Sequence, residues 1–471
     1  MSTPILAGRA ADRVERPLRV CVVGAGYVGL TAAACLAELG HEVGCVETDP
    51  VRLAVLRKGG MPIVEEGLRD LIATHVAGGR LTFTDDIADA MPGSEVVLLC
   101  VGTPPRADGD PDLRQIARAA RQAARAASGD LVLVVKSTVP PGSCEALELL
   151  AAGERGDIAV QVASNPEFLR EGQAVFDFFH ADRIVVGVDN PELAQMVIRL
   201  YPRSWPVVVC DRRSAELVKY AANSFLAVKI SYANEVASLC EALGADAAQV
   251  LGGIGLDVRI GGEFLRPGPG FGGSCLPKDL AGLIAVAASV GRPARLAQAA
   301  MAANRDALDR IVAKLEVPLG GLAGARVGLL GLAFKPGTDD FRHSPAVALA
   351  ARLTDAGATV CAHDPMARVS RFRGDQVDNP YEAARDADAV VVATGWPLYA
   401  SLDPHRLRQV MRGEMVLDAV GLLDVDAFAT AGLEVYGVGR GRPLEFHPVV
   451  WRPLEWTLES GATPCLAETA G

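Results

Sequence analysis

At 471 residues, half of them hydrophobic and 22% charged, the chain is long enough for two or three packed units of ordinary globular composition. Its formal charge of −11 argues against a non-specific grip on nucleic acid, so an anionic ligand has to be met by local Lys and Arg. The ten cysteines form no C-x-x-C pair and no Cys/His group at zinc-ligand spacing. No signal peptide or run of transmembrane length is read either, so the expectation is a cytoplasmic protein with no metal and no membrane contact.

Residues 1–17 are expected to be a disordered tail. From Leu18 onward, strand-like runs at 18–23, 41–47, 95–101, 131–137, 158–163 and 183–188 alternate with helical ones. That alternation marks a parallel sheet with crossover helices and predicts a Rossmann-like dinucleotide domain over 18–210. A stretch free of Gly and Pro from Asp211 to Leu243 predicts one long helix. It opens a helical middle domain, 211–317, whose helical pattern continues to about Val317. A second βαβ series starts at Ala325 and gives an α/β domain over 318–456, with a flexible tail at 457–471. The fold class is α/β: two Rossmann-like, doubly wound lobes joined by a long central helix and helical middle domain.

The first strand-like run leads straight into Gly24-Ala-Gly26-Tyr-Val-Gly29 and a helical segment, the context in which a G-x-G-x-x-G turn binds a pyrophosphate. Glu47 follows the second run at the spacing of a ribose-binding acid, with Asp49 a weaker candidate. A carboxylate there would repel a 2′-phosphate, which favours NAD over NADP. VGTPP (101–105) and KSTVPPG (136–142) fall at strand ends, where an open sheet binds ligands; proline-stiffened turns are the alternative.

Cys21, Cys45, Cys100, Cys210 and Cys361 lie in or beside apolar runs and read as core thiols. Cys275 differs, because FGGSCLPKD surrounds it with glycines and places Lys278, a cation that favours thiolate, close behind. A thiol in a flexible loop is the alternative reading. Lys219 and Asn223, four residues apart on the long helix, can hold an oxyanion or can lie on a solvated face. Glu167 and Glu171 in SNPEFLREG have the same spacing, with solvated helix charges as the alternative.

Taken together, GAGYVGL, VGTPP, KSTVP, SNPEFLREG, ELVKYAANSFLAVKISYANE, GFGGSCLPKD and GLAFKPGTDDFRHSP resemble, in order, the UDP-glucose/GDP-mannose dehydrogenase family over about 18–456. The resemblance implies an NAD-dependent four-electron oxidation of C6 of a nucleotide sugar through a thiohemiacetal and a thioester. UDP-glucose giving UDP-glucuronate is the preferred substrate; GDP-mannose and UDP-N-acetylmannosamine are alternatives. It implies Cys275 as nucleophile, Lys219 and Asn223 as oxyanion donors, Glu167 and Thr138 as the acid/base pair, and Asp279 ordering water. Gly24, Gly26, Gly29, Glu47, Thr103, Glu171 and Arg342 match cofactor positions. Phe168, Leu169, Lys219, Asn223, Arg259, Phe264, Arg266, Gly272 and Lys335 match substrate positions, with Arg259 reaching a neighbouring subunit of a dimer or larger homo-oligomer. Two positions depart from the family pattern: His343 stands where a glutamate is usual and Glu47 where an aspartate is commoner. A one-step 3-hydroxyacid or 6-phosphogluconate-type dehydrogenase is a second enzyme reading, and a non-catalytic nucleotide-sugar sensor a reading from another class.

Overall fold

The computed structural model describes residue 14 and residues 16–106 and 109–440. Short runs rich in Val and Leu, apolar on both faces, form two mostly parallel sheets covered by helices. The first holds β1 (Arg19–Val23), β2 (Glu42–Val46), β3 (Leu81–Thr84), β4 (Val96–Leu99), β5 (Leu131–Val135), β6 (Val160–Ser164), β7 (Ile184–Gly187) and β8 (Val207–Cys210). Their order is β3-β2-β1-β4-β5-β6-β7-β8, antiparallel only at β6/β7. The second holds β9 (Arg326–Leu330), β10 (Thr359–His363), β11 (Asp375–Val377), β12 (Ala389–Val392), β13 (Met415–Asp418) and β14 (Glu434–Gly437), in the order β11-β10-β9-β12-β13-β14. In each sheet the strand order reverses beside the first strand, β1 or β9, which opens a crevice at the carboxyl ends of the strands.

Between the sheets runs a 32-residue helix, Arg212–Leu243. Asp211 caps its start by accepting the Ser214 N–H, and Gly244 ends it with φ +70°. The helices Leu276–Ser289 and Arg295–Leu319 pack against it.

Several expectations need correction. The helical pattern does not run unbroken to Val317: residues 256–275 leave the helix between Ala247–Gly255 and Leu276–Ser289, and the glycines and prolines at 261–262, 267–270 and 272–273 explain why. Val14 is buried and donates its N–H to the Leu39 carbonyl at 3.3 Å, so the tail is anchored within 1–17. Cys210 ends the edge strand β8 and is half-buried, whereas Cys21, Cys45, Cys100 and Cys361 are core thiols. The expected tail at 457–471 and the end of the second lobe from 441 lie outside the described residues. No helix among the described residues is long and apolar enough to cross a membrane.

Candidate active site

At the mouth of the first crevice, Gly24 turns with φ +101° and donates its N–H to the Val46 carbonyl at 2.9 Å. A Cβ on Gly29 would fall on the Gly24 carbonyl oxygen, so helix Tyr27–Glu38 closes on β1 only with glycine there. Gly26 faces open space, and no side chain caps the helix it precedes. Its first N–H groups are free for an anion. Glu47, at the end of β2, is mostly buried and accepts the Asp49 N–H at 2.9 Å. Asp49 uses its Oδ1 to cap Pro50–Arg57 by accepting the Val51 and Arg52 N–H groups. Thr103 donates to the Thr138 carbonyl at 2.8 Å and so ties the loops after β4 and β5 together over the same crevice. A tight turn, open room at Gly26, an uncapped helix start and an acid one strand away fit an adenine dinucleotide.

Cys275 occupies the cap position of helix Leu276–Ser289. Its loop is held by close packing that only glycine permits: a Cβ on Gly272 would meet the His343 carbonyl and Pro345, and one on Gly273 would meet the Phe334 ring. Asn304 pins the same loop by accepting the Phe271 N–H at 2.7 Å and donating to its carbonyl at 3.0 Å.

Around the thiol stands a buried charge cluster. Lys219 Nζ lies 3.1 Å from Glu167 Oε1, with both side chains under 10% exposed at 4% and 7%. Glu167 Oε2 accepts the Leu169 N–H at 2.6 Å. Asn223 Nδ2 donates to Asp279 Oδ2, and Lys278 Nζ to Oδ1, each at 2.5 Å. Burial would push the Glu167 carboxyl up, but the Lys219 ammonium and the Leu169 N–H outweigh it and hold it below the ordinary range. Burial likewise would lower Lys219, yet Glu167, Cys275 and Asp279 hold it above its usual value. The pair is therefore charged. The Cys275 thiol is pushed up by burial and by Glu167, with Lys219 opposing.

The second lobe closes the other side. Ser274 Oγ donates to Glu171 Oε1 at 2.7 Å and lies 3.6 Å from Cys275 Sγ. Arg342, its side chain 60% exposed, pairs with Asp340 and approaches Glu171 Oε1 at 3.6 Å. Burial pushes the Glu171 carboxyl up to about 7; the Ser274 hydrogen bond opposes this and Asp340 adds to it. Burial also holds the Lys335 ammonium below its usual value, with Glu171 opposing. Phe168 is sandwiched by cations, Arg183 at 3.7 Å and Lys219 at 5.3 Å from its ring.

The structure thus brings Cys275, Lys219, Asn223, Glu167 and Asp279 together, with Glu171, Arg342 and Lys335 beside them. Two expectations change. Glu167 and Glu171 sit on an irregular loop after β6, not on a helix, and both are withdrawn from solvent. Lys278 is neutralised by Asp279, and the cation that acts on the thiol is Lys219. Phe264 adopts φ +64°, and Arg266 is exposed. Arg259 is also exposed and pairs with Asp257. Sequence reasoning passed over Ser274, Asn304 and Asp340. It also passed over Lys136, a buried ammonium that donates to Asn165 Oδ1 and Tyr201 Oη, each at 3.1 Å. Only the placement of Ser274 next to Cys275 carried any signal.

Three family models match in order: the NAD binding domain of the UDP-glucose/GDP-mannose dehydrogenase family over 18–205, its central domain over 213–306 and its UDP binding domain over 328–425. A UDP-glucose 6-dehydrogenase of Rhizobium meliloti (strain 1021) is 43% identical over 435 residues, covering 90% of this chain and all of that one. A UDP-glucose dehydrogenase structure from Pyrobaculum islandicum superposes with a TM-score of 0.85 at 39% identity, over 91% of this chain and 99% of that one. A UDP-D-ManNAc dehydrogenase structure from Pyrococcus horikoshii gives 0.82 at 27% identity, over 90% and 100%. With a dinucleotide turn, a buried thiol cluster and all three domains matched in sequence, the chain belongs to the UDP-glucose/GDP-mannose dehydrogenase family and is an NAD-dependent nucleotide-sugar dehydrogenase.

Proposed function

We propose that this enzyme oxidises the C6 hydroxyl of UDP-glucose to a carboxylate, giving UDP-glucuronate, with Cys275 as covalent nucleophile. The observation that carries the reading is the half-buried thiol set beside the buried Lys219, Glu167, Asn223 and Asp279, between the lobe with the dinucleotide turn and the lobe matched as UDP-binding. The identity to UDP-glucose enzymes supports the choice of sugar.

NAD⁺, when bound, accepts a hydride at each of the two oxidation stages. The chain supplies the rest. Glu167, ionised and adjoining Lys219, takes the proton that leaves the hydroxyl, with Thr138 as its hydroxyl partner. The Cys275 thiolate attacks the C6 aldehyde, and the tetrahedral adducts formed there and on water attack at the later thioester place negative oxygen where the Lys219 ammonium and the Asn223 amide stand ready. Both donors are already fixed by Glu167 and Asp279, so they need little reorganisation. Asp279, anchored by Asn223 and Lys278, orders the water that opens the thioester.

Phe225, Tyr232 and Leu239 recur every seven residues on the long helix and are 64%, 51% and 56% exposed; Leu243 extends the face at 68%. This apolar stripe supports a homodimer built on that helix, in which the exposed Arg259 serves the neighbouring site. The nine described cysteines are free thiols, in keeping with work in the reducing cytoplasm.

The test is product stoichiometry. Two NADH and one carboxylate per UDP-glucose are expected, and Cys275→Ser should release no carboxylate while still binding the sugar nucleotide. One NADH with a keto product would replace the mechanism. Turnover of UDP-N-acetylmannosamine or GDP-mannose without turnover of UDP-glucose would replace the substrate.

A further inference from the structure

We infer that Ser274 carries the proton of the Cys275 thiol to Glu171, so that these three side chains form the device that makes the nucleophile. The inference rests on the reading of Cys275 as the nucleophile and adds how its proton leaves.

The geometry fixes the direction. Ser274 has one hydroxyl proton, and it points to Glu171 Oε1 at 2.7 Å. The 3.6 Å contact with Cys275 Sγ is then one in which the sulfur donates and the serine oxygen accepts. The chain therefore reads S–H to Oγ–H to Oε1 before any proton moves.

Other acceptors near the thiol are occupied. Glu167 has one oxygen on Lys219 and the other on the Leu169 N–H, and on the reading above its basicity serves the substrate hydroxyl. Asp279 has one oxygen on Asn223 and the other on Lys278. Lys219 already holds its proton, kept there by Glu167. Glu171 differs: its Oε2 is buried and meets no N–H or hydroxyl donor among the described residues, and Asp340 disfavours its charge and accepts a hydrogen bond from it once it is protonated. A proton arriving on Glu171 relieves that repulsion.

The step balances without any co-reactant. The Sγ–H bond breaks as that proton bonds to Ser274 Oγ, and the serine's own proton moves to Glu171 Oε1. No electrons change hands. The negative charge passes from Glu171, beside Asp340, to Cys275, beside Lys219.

Such a pair has a distinctive pH profile. Where thiol and carboxyl share one proton, the thiolate fraction stops rising once Glu171 has ionised and resumes only when the second proton leaves. A lone thiol instead gains about tenfold thiolate per pH unit. The charged groups bearing on the profile are Asp340, Arg342 and Lys335 around Glu171, and Glu167, Lys219 and Asp279 around Cys275. The experiment is alkylation of the full-length enzyme by iodoacetamide without substrate, with the rate at Cys275 read by peptide mass spectrometry. The expected result is a rate that is flat over roughly two pH units above about 7. Glu171→Gln should convert this plateau into a climb of about tenfold per unit; Ser274→Ala, which keeps both charges but removes the hydroxyl that bridges the two proton positions, should lower the rate on the plateau about tenfold, and Ser274→Thr, which keeps a hydroxyl, should restore it. A wild-type rate that climbs tenfold per unit throughout overturns the relay, as does a Ser274→Ala protein that keeps the wild-type rate on the plateau. Carboxylate formation by Cys275→Ser at the wild-type rate would instead overturn the nucleophile reading, so the two failures are distinguishable.

Discussion

Replacing Lys219 by Met tests the charge cluster directly, because it keeps a similar chain length and removes only the ammonium. Glu167 would be left 7% exposed, with the Leu169 N–H as its one remaining hydrogen-bond donor. Breaking one side of a buried ion pair costs about 3–5 kcal/mol, and removing a donor aimed at a developing oxyanion costs about 10²–10³ in kcat. The two effects separate in the Lys219→Met/Glu167→Gln double variant. It should regain about 2 kcal/mol or more of stability, since no unpaired charge is left inside, but no activity. Urea unfolding followed by circular dichroism and NADH formation followed by absorbance supply both readouts. The pair also sets a pH window. The Glu167 value is depressed, so its contribution is present above the unfolded carboxyl value and lost as pH falls through the folded one. The Lys219 value is raised, so its contribution is present below the unfolded lysine value and lost as pH rises through the folded one. Stability from this pair should therefore be level across neutral pH and fail only at the two extremes. A single variant that keeps kcat within threefold, or a double variant no more stable than the single one, would refute the reasoning.

Gly29→Ala should abolish NAD binding and lower expression, because its Cβ has no place except on the Gly24 carbonyl; dye-monitored melting with and without NAD⁺ reads this. Glu47→Ala should weaken NAD about 10–100-fold in an equilibrium titration and narrow the preference over NADP, through loss of charge-assisted ribose hydrogen bonds. Leu239→Lys with Phe225→Lys should yield monomers by analytical ultracentrifugation and lose activity if Arg259 completes a neighbouring site. Glu171 is raised to about 7, so the folded state holds its proton longer than the unfolded chain does. Its contribution is complete below the unfolded carboxyl value and disappears as pH rises through about 7. Glu171→Gln should accordingly remove up to about 3 kcal/mol of the stability lost between pH 5 and 8, as read by urea midpoints.

Much of this was legible because parallel strands and helix caps announce themselves locally. The runs at β1, β2, β4, β5, β6 and β7 are apolar on both faces, and the glycines at 24, 26 and 29 follow directly on β1. What escaped was set by position in the sheet. β3, β8, β11 and β14 are the four edge strands, three or four residues long and covered on one side at most, so they carry no run of buried residues to read. At the site, Cys275, Lys219 and Glu167 were found because their motifs are distinctive. Asn304 and Asp340 were missed because each acts on a loop about 30 or more than 160 residues away. Lys278 misled for the same reason: adjacency in sequence suggested a cation for the thiol, while folding gave that cation to Asp279.

The charge arrangement also bears on how a half-buried thiol could serve the proposed mechanism. Burial and Glu167 raise its value, so at rest Cys275 is protonated and protected from adventitious oxidation. Lys219 opposes that rise without overcoming it, being itself paired with Glu167. Glu167 and Asp279 thus hold the cation and the amide, and on the proposed mechanism Glu167 also serves the substrate hydroxyl, so the thiol needs another acceptor. Glu171, four residues beyond Glu167 on the same loop, is the carboxyl with an oxygen lacking a donor among the described residues, and Ser274 lies between it and the sulfur. On the proposed mechanism, one loop after β6 performs two separable tasks, fixing the oxyanion donors through Glu167 and taking the thiol proton through Glu171. This division predicts that Glu167→Gln and Glu171→Gln fail differently: the first loses kcat with the alkylation plateau intact, the second loses the plateau.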